Sequence, residues 1–443
     1  MISPTLAGFL GILVLLLLLG KGVHIAVDFF LVGFLGITTL VGIESALSFF
    51  GETLYYGIAS PTYSALPLFI LMGSFAAMGS FAEKAFEGIH DLTKGLPGSL
   101  CIASTFGCAV FGAVSGSSLA TAALFGKIIL PEMKRFKYDM SFSMGSIAAS
   151  GGLAAMIPPS TLFIVYAIFT DQSIGKLFMA GVLPGILTAL SFSLFIVFRV
   201  KFNPSLAPKK IEDSNLVENP AVSKFASIKK MWGVAFLSAV VLGGIYTGAL
   251  TPNEAGAVGA LVALGMGLLE GRIRSISVIR KALREAALNT SMILLIMVAA
   301  LFFSRFLALS RLPTFISMVI TGTSLPRVVI LGGILIIWFL LGMIMIPTGI
   351  MALTLPIFYP IIIKLGYDPI WFGVIIVKLS EIAAITPPVG LNVYALKGVA
   401  GKDVSLDMAF KGVWPFVCCE LFIMALLIAF PQISLWLPGL MGR

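Results

Sequence analysis

The chain has 443 residues, of which 59% are hydrophobic and 11% charged, and its formal net charge is +9. Soluble globular proteins are about 45–50% apolar and about 25% charged, so this chain has too few charged residues to cover the surface of a water-soluble fold. Its basic residues stand in short stretches between apolar runs, which is typical of cytoplasmic loop ends and argues against a nucleic-acid-binding surface. We therefore expect a lipid bilayer around the protein and no nucleic-acid partner.

Apolar runs long enough to cross a bilayer recur from one end of the chain to the other. A helix needs about 20 apolar residues to span a hydrocarbon layer about 30 Å thick. The first run precedes the first basic residue, Lys21, whereas a cleavable signal peptide carries its positive charge before its apolar segment, so we expect a retained helix. The continuous runs are 4–20, 23–43, 64–82, 176–199, 231–250, 253–269, 289–309 and 412–436.

Four further apolar stretches are interrupted near their middles. Residues 97–133 and 327–364 contain Gly, Pro, Ser or Thr there, and we interpret each as a re-entrant helical hairpin. Residues 140–170 and 369–396 each carry a double proline at the centre, and we interpret each as a broken helix.

The two halves of the chain match each other at a nearly constant offset. A shift of 229 carries Tyr138-Asp139 to Tyr367-Asp368 and Pro158-Pro159 to Pro387-Pro388, and a polar, basic stretch separates the halves. We interpret the match as a structural duplication. The predicted organisation is a first repeat at 1–201, a cytoplasmic linker at 202–230 and a second repeat at 231–443.

Charge placement orients the two predicted repeats. With the interrupted stretches as hairpins that enter and leave on one side, each half crosses the membrane five times, so the repeats must be inverted. The excess of Lys and Arg in and around the linker places that linker in the cytoplasm and both termini in the periplasm. The exceptions on or near the outside are Lys176, Arg311, Arg327 and Lys364. The predicted fold is an all-α polytopic membrane protein built from two inverted repeats, each with one re-entrant hairpin and one broken helix.

Polar residues concentrate at the four predicted interruptions. The hairpins turn at Ser115–Ser118 and at Ile346–Gly349, and the broken helices part at Ile157–Ser160 and at Thr386–Gly390. Proline frees backbone carbonyls, and a free carbonyl facing lipid costs several kcal/mol by order of magnitude. Carbonyls with Ser and Thr hydroxyls suit Na⁺, and half-helix N-termini suit an anion. Simple proline kinks and close helix packing are the alternative, but pairing of the breaks by the repeat favours a transport site.

Acidic residues within apolar runs are candidates for function. Glu381 lies one turn before the second double proline, with Lys378 three residues earlier on the same helical face. A functional carboxylate and a structural Lys378–Glu381 ion pair both account for this placement, and both stay open. Asp28 is less persuasive, because it can lie near a membrane interface. Thr251-Pro252-Asn253-Glu254 predicts a helix start with a capping box.

Enzymatic and metal sites find little support. No G-x-x-x-x-G-K-[ST] motif occurs, and neither His24 nor His90 follows Ser115-Gly116, where the base of a serine protease is expected. We therefore predict no enzyme activity, no organic cofactor and no metal other than Na⁺. The four cysteines lack metal-ligand spacing and are expected to be small packed hydrophobes: Cys101, Cys108, Cys418 and Cys419.

Five ordered motifs, spread over nearly the whole chain, resemble the large membrane subunit of the tripartite ATP-independent periplasmic (TRAP) transporters. The resemblance implies a secondary transporter for a small organic anion in the bacterial inner membrane, with Na⁺ as coupling ion and an elevator motion. It also implies two partners, a small membrane subunit of four helices and a periplasmic substrate-binding protein. The motifs lie at 112–118, 152–160, 173–178, 251–255 and 385–392.

The resemblance also carries site residues over by position. Sodium ligands fall on Ser115, Ser117, Ser118, Gly152, Ile157 and Pro158 in one cluster, and on Pro347, Thr348, Gly349, Thr386, Pro387 and Gly390 in the other. Substrate contacts fall on Gly116, Ser117, Ser160, Thr348, Val389 and Asn392. The alternatives are a stand-alone Na⁺- or H⁺-coupled symporter or antiporter of similar inverted-repeat fold, and a membrane scaffold or channel without coupling. The substrate stays open among sialate, dicarboxylates, keto acids and sulfonates.

Overall fold

The computed structural model describes residues 3–208, 224–401 and 404–441, and within these ranges the regular structure is helical. The first half contains α1 Pro4–Gly20, α2 Ile25–Val41, α3 Ile43–Tyr56, α4 Ala65–Met78, α5 Phe81–Thr93, α6 Ser99–Ser115, α7 Ser118–Arg135, α8 Met140–Gly151, α9 Leu153–Met156, α10 Thr161–Thr170 and α11 Ile174–Phe202. The second half contains α12 Lys224–Lys230, α13 Trp232–Tyr246, α14 Pro252–Leu269, α15 Ile276–Leu309, α16 Leu312–Thr321, α17 Arg327–Gly342, α18 Pro347–Lys364, α19 Pro369–Ile385, α20 Leu391–Ala400, α21 Leu406–Ala429 and α22 Gln432–Leu440.

The surface and the helix lengths are those of a multi-pass membrane protein. Six helices of the described ranges are long and apolar enough to cross a bilayer, and two bent helix pairs raise that number to eight. Large apolar side chains such as Leu194, Leu261 and Ile336 are more than half exposed, which suits a lipid-facing surface. Apolar side chains thus lie on the outside of the molecule as well as in its core.

The four predicted interruptions are places where helices end. The first hairpin is α6 and α7 with a turn at Gly116-Ser117, and the second is α17 and α18 with a turn at 343–346. The pair α8–α9 is bent by 45° relative to α10 across 157–160, and α19 is separated from α20 by 386–390. Side-chain caps define several helix starts, because Ser117, Asp139, Ser160 and Asp368 accept hydrogen bonds from backbone N–H groups of the following turn.

The predicted capping box is present at the start of α14. Thr251 Oγ1 accepts a hydrogen bond from Glu254 N at 3.3 Å, and Glu254 Oε2 accepts one from Thr251 N at 2.8 Å. Pro252 occupies the first helical position, where its missing N–H is not needed. The structural interpretation of this motif is confirmed.

Several helices differ from the predicted spans. Helices α3, α5 and α16 occupy segments without a predicted span, because their apolar positions are too few or too short a run to cross a bilayer. Helix α15 begins at Ile276 rather than near 289, and its 34 residues extend for about 51 Å, longer than a hydrocarbon layer of about 30 Å. The predicted span 412–436 is divided at Phe430-Pro431 between α21 and α22.

The predicted linker lies partly outside the described ranges, since residues 209–223 are not described. Its last part forms α12, which packs against α5. Lys230 on α12 bonds Asp91 Oδ2 at 2.9 Å, and Lys94 bonds Asp91 Oδ1 at 2.7 Å. The end of the linker is therefore attached to the first half.

Helix packing is reciprocal between the halves. Helix α2 packs against α15 as α4 packs against α14, and α7 packs against α20 as α10 packs against α18. The predicted duplication exchanges α2 with α14, α4 with α15, α7 with α18 and α10 with α20. Under this exchange the contact of α2 with α15 becomes that of α14 with α4, and the contact of α7 with α20 becomes that of α18 with α10. All four contacts are present.

Candidate transport site

The two hairpin turns meet at one cavity. The cavity has a volume of about 570 Å³ and is lined by Ser115–Ser118 of the first hairpin and Ile346–Thr348 of the second. Side chains of α4 and α15 close its other sides, including Ser74, Glu285 and Asn289. Residues more than 200 positions apart in the sequence thus share one space, whose lining combines polar side chains with apolar ones.

The first hairpin turn is held against the start of α10. Gly116 O accepts hydrogen bonds from Thr161 Oγ1 at 3.0 Å and from Thr161 N at 3.3 Å. Gly116 has a φ of +63°, and a Cβ there would lie 2.6 Å from Pro159 O, so the turn requires glycine on both counts. Ser115 Oγ is 2.8 Å from Thr121 Oγ1. Of the predicted substrate contacts, Gly116 and Ser117 line the cavity, whereas Ser160 is fully buried and caps α10 through Phe163 N.

Glu381 lies where the first hairpin, the first broken helix and the second broken helix meet. Ser118 Oγ donates a hydrogen bond to Glu381 Oε1 at 3.0 Å, and Asn392 Nδ2 lies 3.4 Å from Oε2. A Cβ at Gly152 would lie 3.2 Å from the same Oε2. Glu381 is thus brought to Ser118 and Gly152, two members of the first predicted sodium cluster. Asn392, a predicted substrate contact, lies beside this carboxylate and away from the cavity lining.

Other members of the first predicted sodium cluster have surroundings that do not include Glu381. Ile157 packs its side chain against Gly185 of α11, and its N–H bonds Leu153 O at 2.8 Å. Pro158 is buried, and Ser117 Oγ accepts from Ala120 N at 3.4 Å as the cap of α7.

The second predicted sodium cluster is divided between the cavity and the helix packing. Pro347 and Thr348 line the cavity, whereas Gly349 packs against Ile25 of α2. Thr386 Oγ1 bonds Ile382 O of its own helix at 2.7 Å. Pro387 is half-buried, and Gly390, with a φ of +58°, packs against Phe410.

The second hairpin is nonetheless tied to the second broken helix. Val389 N donates to Met343 O at 3.3 Å, and a Cβ at Gly342 would lie 2.6 Å from Ala383 Cβ. The first half has the corresponding approach, because a Cβ at Gly112 would lie 2.6 Å from Ala154 Cα. Val389, predicted as a substrate contact, is engaged here through its backbone.

Lys378 does not pair with Glu381. It forms an ion pair with Glu420 of α21, and its Nζ donates to Thr188 Oγ1 of α11 at 2.8 Å. Of the two accounts left open by the sequence, the Lys378–Glu381 ion pair is therefore not formed. Asp28, in the first turn of α2, is fully buried, with both carboxylate oxygens unpartnered among the described residues.

Some site residues escaped the sequence analysis. Glu420 lies within the apolar run 412–436, so the signal used for Glu381 could have found it. Glu285 and Asn289 lie on the polar first part of α15, where nothing in their spacing marks them as cavity residues. Among the cysteines, Cys101 and Cys108 are buried as expected, whereas Cys418 is exposed, because it lies on the outward face of α21.

Comparison with known proteins identifies the family. A family model described as Tripartite ATP-independent periplasmic transporter, DctM component, matches residues 10–433. The C4-dicarboxylate TRAP transporter large permease protein DctM of Pseudomonas aeruginosa is 35% identical over 384 residues, which cover 86% of this chain and 87% of that protein. The sialic acid TRAP transporter large permease protein SiaM of Vibrio cholerae is 28% identical over 433 residues, which cover 98% of this chain and 97% of that protein.

A solved structure shares the fold. The YdaH transporter of Alcanivorax borkumensis superposes with a TM-score of 0.59 at 15% identity, over 90% of each chain. At this identity the likeness concerns the fold alone. The family model and the relatives settle the class, which is a transporter permease rather than an enzyme. The chain belongs to the DctM component, the large permease, of the tripartite ATP-independent periplasmic (TRAP) transporters.

Proposed function

We propose that this chain takes up a small organic anion across the bacterial inner membrane. A Na⁺ gradient drives the uptake, and an elevator motion carries the substrate across. The chain would act with a small four-helix membrane subunit and a periplasmic substrate-binding protein. The observation that carries the proposal is the single cavity shared by the tips of the two hairpins. A membrane scaffold without transport activity has no need for such a cavity.

The cavity suits an anion because two helices begin at its wall. Helix α7 begins with Ser118, Leu119 and Ala120, and helix α18 begins with Pro347 and Thr348. All five residues line the cavity. Helix N-termini present unpaired N–H groups and partial positive charge to an anion. The relatives named above for C4-dicarboxylates and for sialic acid transport carboxylates, so we propose a carboxylate or sulfonate as substrate.

The elevator part of the proposal is supported by the division of the packing. The hairpins and broken helices, α6–α10 and α17–α20, pack on one another, while α2, α4, α14 and α15 pair reciprocally beside them. The cavity lies between these two sets. Glu285, one of its exposed lining residues, follows Arg280 and Arg284 on α15, a basic segment that the positive-inside rule assigns to the cytoplasm. We infer that this structure corresponds to the inward-open state.

Reconstitution tests the proposal. The complete complex in proteoliposomes should take up labelled substrate when binding protein and an inward Na⁺ gradient are present, and not when K⁺ replaces Na⁺. Uptake by this chain alone would favour a stand-alone carrier, and flux indifferent to Na⁺ would favour an uncoupled channel. A thermal-shift screen of the partner binding protein against organic acids would identify the substrate as the acid that raises the Tm of that protein.

Two substitutions test the sodium ligands. Ser118→Ala and Thr348→Ala should each raise the Na⁺ concentration for half-maximal uptake by about 2- to 10-fold, the effect of losing one polar interaction of about 0.5–1.5 kcal/mol. Ser193→Ala is the matched control, because Ser193 bonds Ala189 O of its own helix, away from the cavity. An unchanged Na⁺ dependence in both test variants would contradict the assignment.

A further inference from the structure

The carboxylate of Glu381 has no cationic partner among the described residues. Its side chain is almost fully buried in the interior of the protein, and Lys378, one turn away, is engaged by Glu420 and Thr188. An uncompensated charge within a membrane protein is strongly unfavourable, and buried charges are normally paired or bound to a metal ion. Either a proton on the carboxyl group or a cation that the described side chains do not supply would neutralise this charge.

Asn392 provides a second, independent observation. It is fully buried, and its Oδ1 has no hydrogen-bond partner in the described part of the chain. Its Nδ2 lies 3.4 Å from Glu381 Oε2, a long contact for a hydrogen bond. A rotation of the amide by half a turn exchanges nitrogen and oxygen and leaves the shape of the side chain unchanged. The unpartnered carbonyl oxygen would then face the carboxylate oxygen.

Two oxygens at that separation fit a bound cation. A spacing of 3.4 Å matches two neighbouring ligands at a right angle on one ion with bonds of about 2.4 Å, within the range for hard, oxygen-bound cations. Ser118 Oγ lies 3.0 Å from Oε1, the other oxygen of the same carboxylate, and adds a hydroxyl oxygen beside that group. Gly152 leaves room beside Oε2, where any larger residue would place a Cβ at 3.2 Å.

We propose that Glu381, Asn392 and Ser118 form a Na⁺ site in which Glu381 supplies the formal negative charge and Asn392 an amide oxygen. One carboxylate neutralises one monovalent ion, whereas a divalent ion would leave net charge in the interior. The site differs from a cage of freed carbonyls, and it gives Asn392 a role with the cation instead of the substrate. Its ligands come from the first hairpin and from α19 and α20 of the second half, so a bound ion would join the two halves.

This inference rests on the proposed Na⁺ coupling, and the test separates the two. Thermal stabilisation of the purified full-length chain by NaCl, relative to choline chloride, gives an apparent Kd for Na⁺. Glu381→Gln and Asn392→Leu should each raise that Kd at least 10-fold, whereas Glu44→Gln, an equal charge change on the exposed face of α3, should stay within 2-fold. A Kd within 2-fold of wild type in either test variant would overturn the inference. Absence of Na⁺ stabilisation in the wild type would instead defeat the proposed Na⁺ coupling.

A measurement on the wild-type protein covers variants that fail to fold. Dicyclohexylcarbodiimide modifies carboxyl groups in apolar surroundings, and mass spectrometry quantifies the modified peptide that contains Glu381. Saturating NaCl should slow this modification at least 5-fold relative to choline chloride, because the bound ion occupies the carboxylate. Modification of Glu420, which is paired with Lys378, should not respond to Na⁺. An equal rate at Glu381 with and without Na⁺ would overturn the inference.

Discussion

Lys378 and Glu420 carry two opposite charges into the interior, where their side chains are 2% and 5% exposed. The cost of removing both charges from water is offset by their mutual attraction and by the hydrogen bond from Lys378 to Thr188. The pair joins α19 to α21, and both contacts of Lys378 are made with residues other than Glu381. A single lost partner would therefore affect more than one contact.

Removal of one partner of this pair should be more damaging than removal of both. We expect Glu420→Gln to lower the stability by about 3–5 kcal/mol, since Lys378 would be left as an unpaired buried charge. The double variant Lys378→Met, Glu420→Gln, which leaves neither charge buried, should lose less stability than either single variant, Lys378→Met or Glu420→Gln. Thermal unfolding of purified protein in detergent would measure all four forms.

An exposed ion pair serves as the control for that cycle. Arg135 and Glu132 are 3.9 Å apart and about half exposed, so their coupling should be below about 1 kcal/mol. Additive losses at Lys378 and Glu420 would show that their ion pair contributes little.

At the scale of single helices, a pair of glycines allows two helices to approach each other closely. Helices α8 and α21 cross where Gly145 faces Gly412, and a Cβ on either glycine would collide with backbone atoms, of Gly412 and Ser141 respectively. Ser141 Oγ also donates to Met408 O at 2.7 Å across this crossing. The crossing therefore depends on glycine for space rather than for backbone conformation.

Gly412→Ala should separate α8 from α21. We expect a loss of about 1–3 kcal/mol, the usual cost of overpacking, measured as a lower Tm of the purified protein. Gly398→Ala in α20 is the matched control, because a Cβ there meets no heavy atom within 4 Å. The control should be neutral or stabilising by up to about 1 kcal/mol through helix propensity. A similar Tm for the two variants would argue against a tight crossing.

The attachment of α12 to α5 should depend on pH through Asp91. Burial by itself would raise the pKa of Asp91, but hydrogen bonds from Lys94 and Lys230 outweigh burial and hold the pKa below its usual range. A carboxylate with a lowered pKa stabilises the fold above its unfolded pKa of about 3.9, and that stability is lost as the pH falls through the folded value.

The corresponding experiment compares Asp91→Asn with the wild type. The Tm advantage of the wild type should be constant from pH 7 to about pH 5 and should shrink as the pH falls below about 4. Glu132→Gln, which removes a carboxylate from an exposed pair, should show little such change. A constant difference between Asp91→Asn and wild type down to acidic pH would contradict the role of the pair.

The sequence is informative about helices and their breaks, and less so about what they contact. Pro158-Pro159 and Pro387-Pro388 mark broken helices, because proline cannot continue the hydrogen-bond ladder. The helix α3 was missed, because a half-exposed helix lacks the continuous apolar run of a span. The partner of Lys378 could not be predicted either, since Glu420 is 42 residues away and reaches it through tertiary packing.

For the whole molecule, the reciprocal contacts of α2 with α15 and of α4 with α14 place the two halves around the cavity. The offset of 229 in the sequence predicts paired clusters, and the family resemblance assigns Ser117 and Thr348 to one substrate site; both residues line the same cavity. That meeting depends on how the hairpins dock between the other helices, which no local pattern encodes. The same docking of the hairpins brings Glu285 and Asn289 of α15 to the cavity wall.

The coupling proposed for the whole complex predicts a response to membrane potential. Each net positive charge that enters with the substrate gains about 2.3 kcal/mol per 100 mV, which corresponds to about 50-fold in accumulation. A K⁺ diffusion potential of about 100 mV, inside negative and set with valinomycin, should therefore raise the steady-state accumulation of substrate about 50-fold if one net positive charge enters per cycle. The same liposomes with a Na⁺ ionophore, which abolishes the Na⁺ gradient, provide the control. Accumulation that is independent of the potential would show an electroneutral cycle and would contradict net inward movement of positive charge.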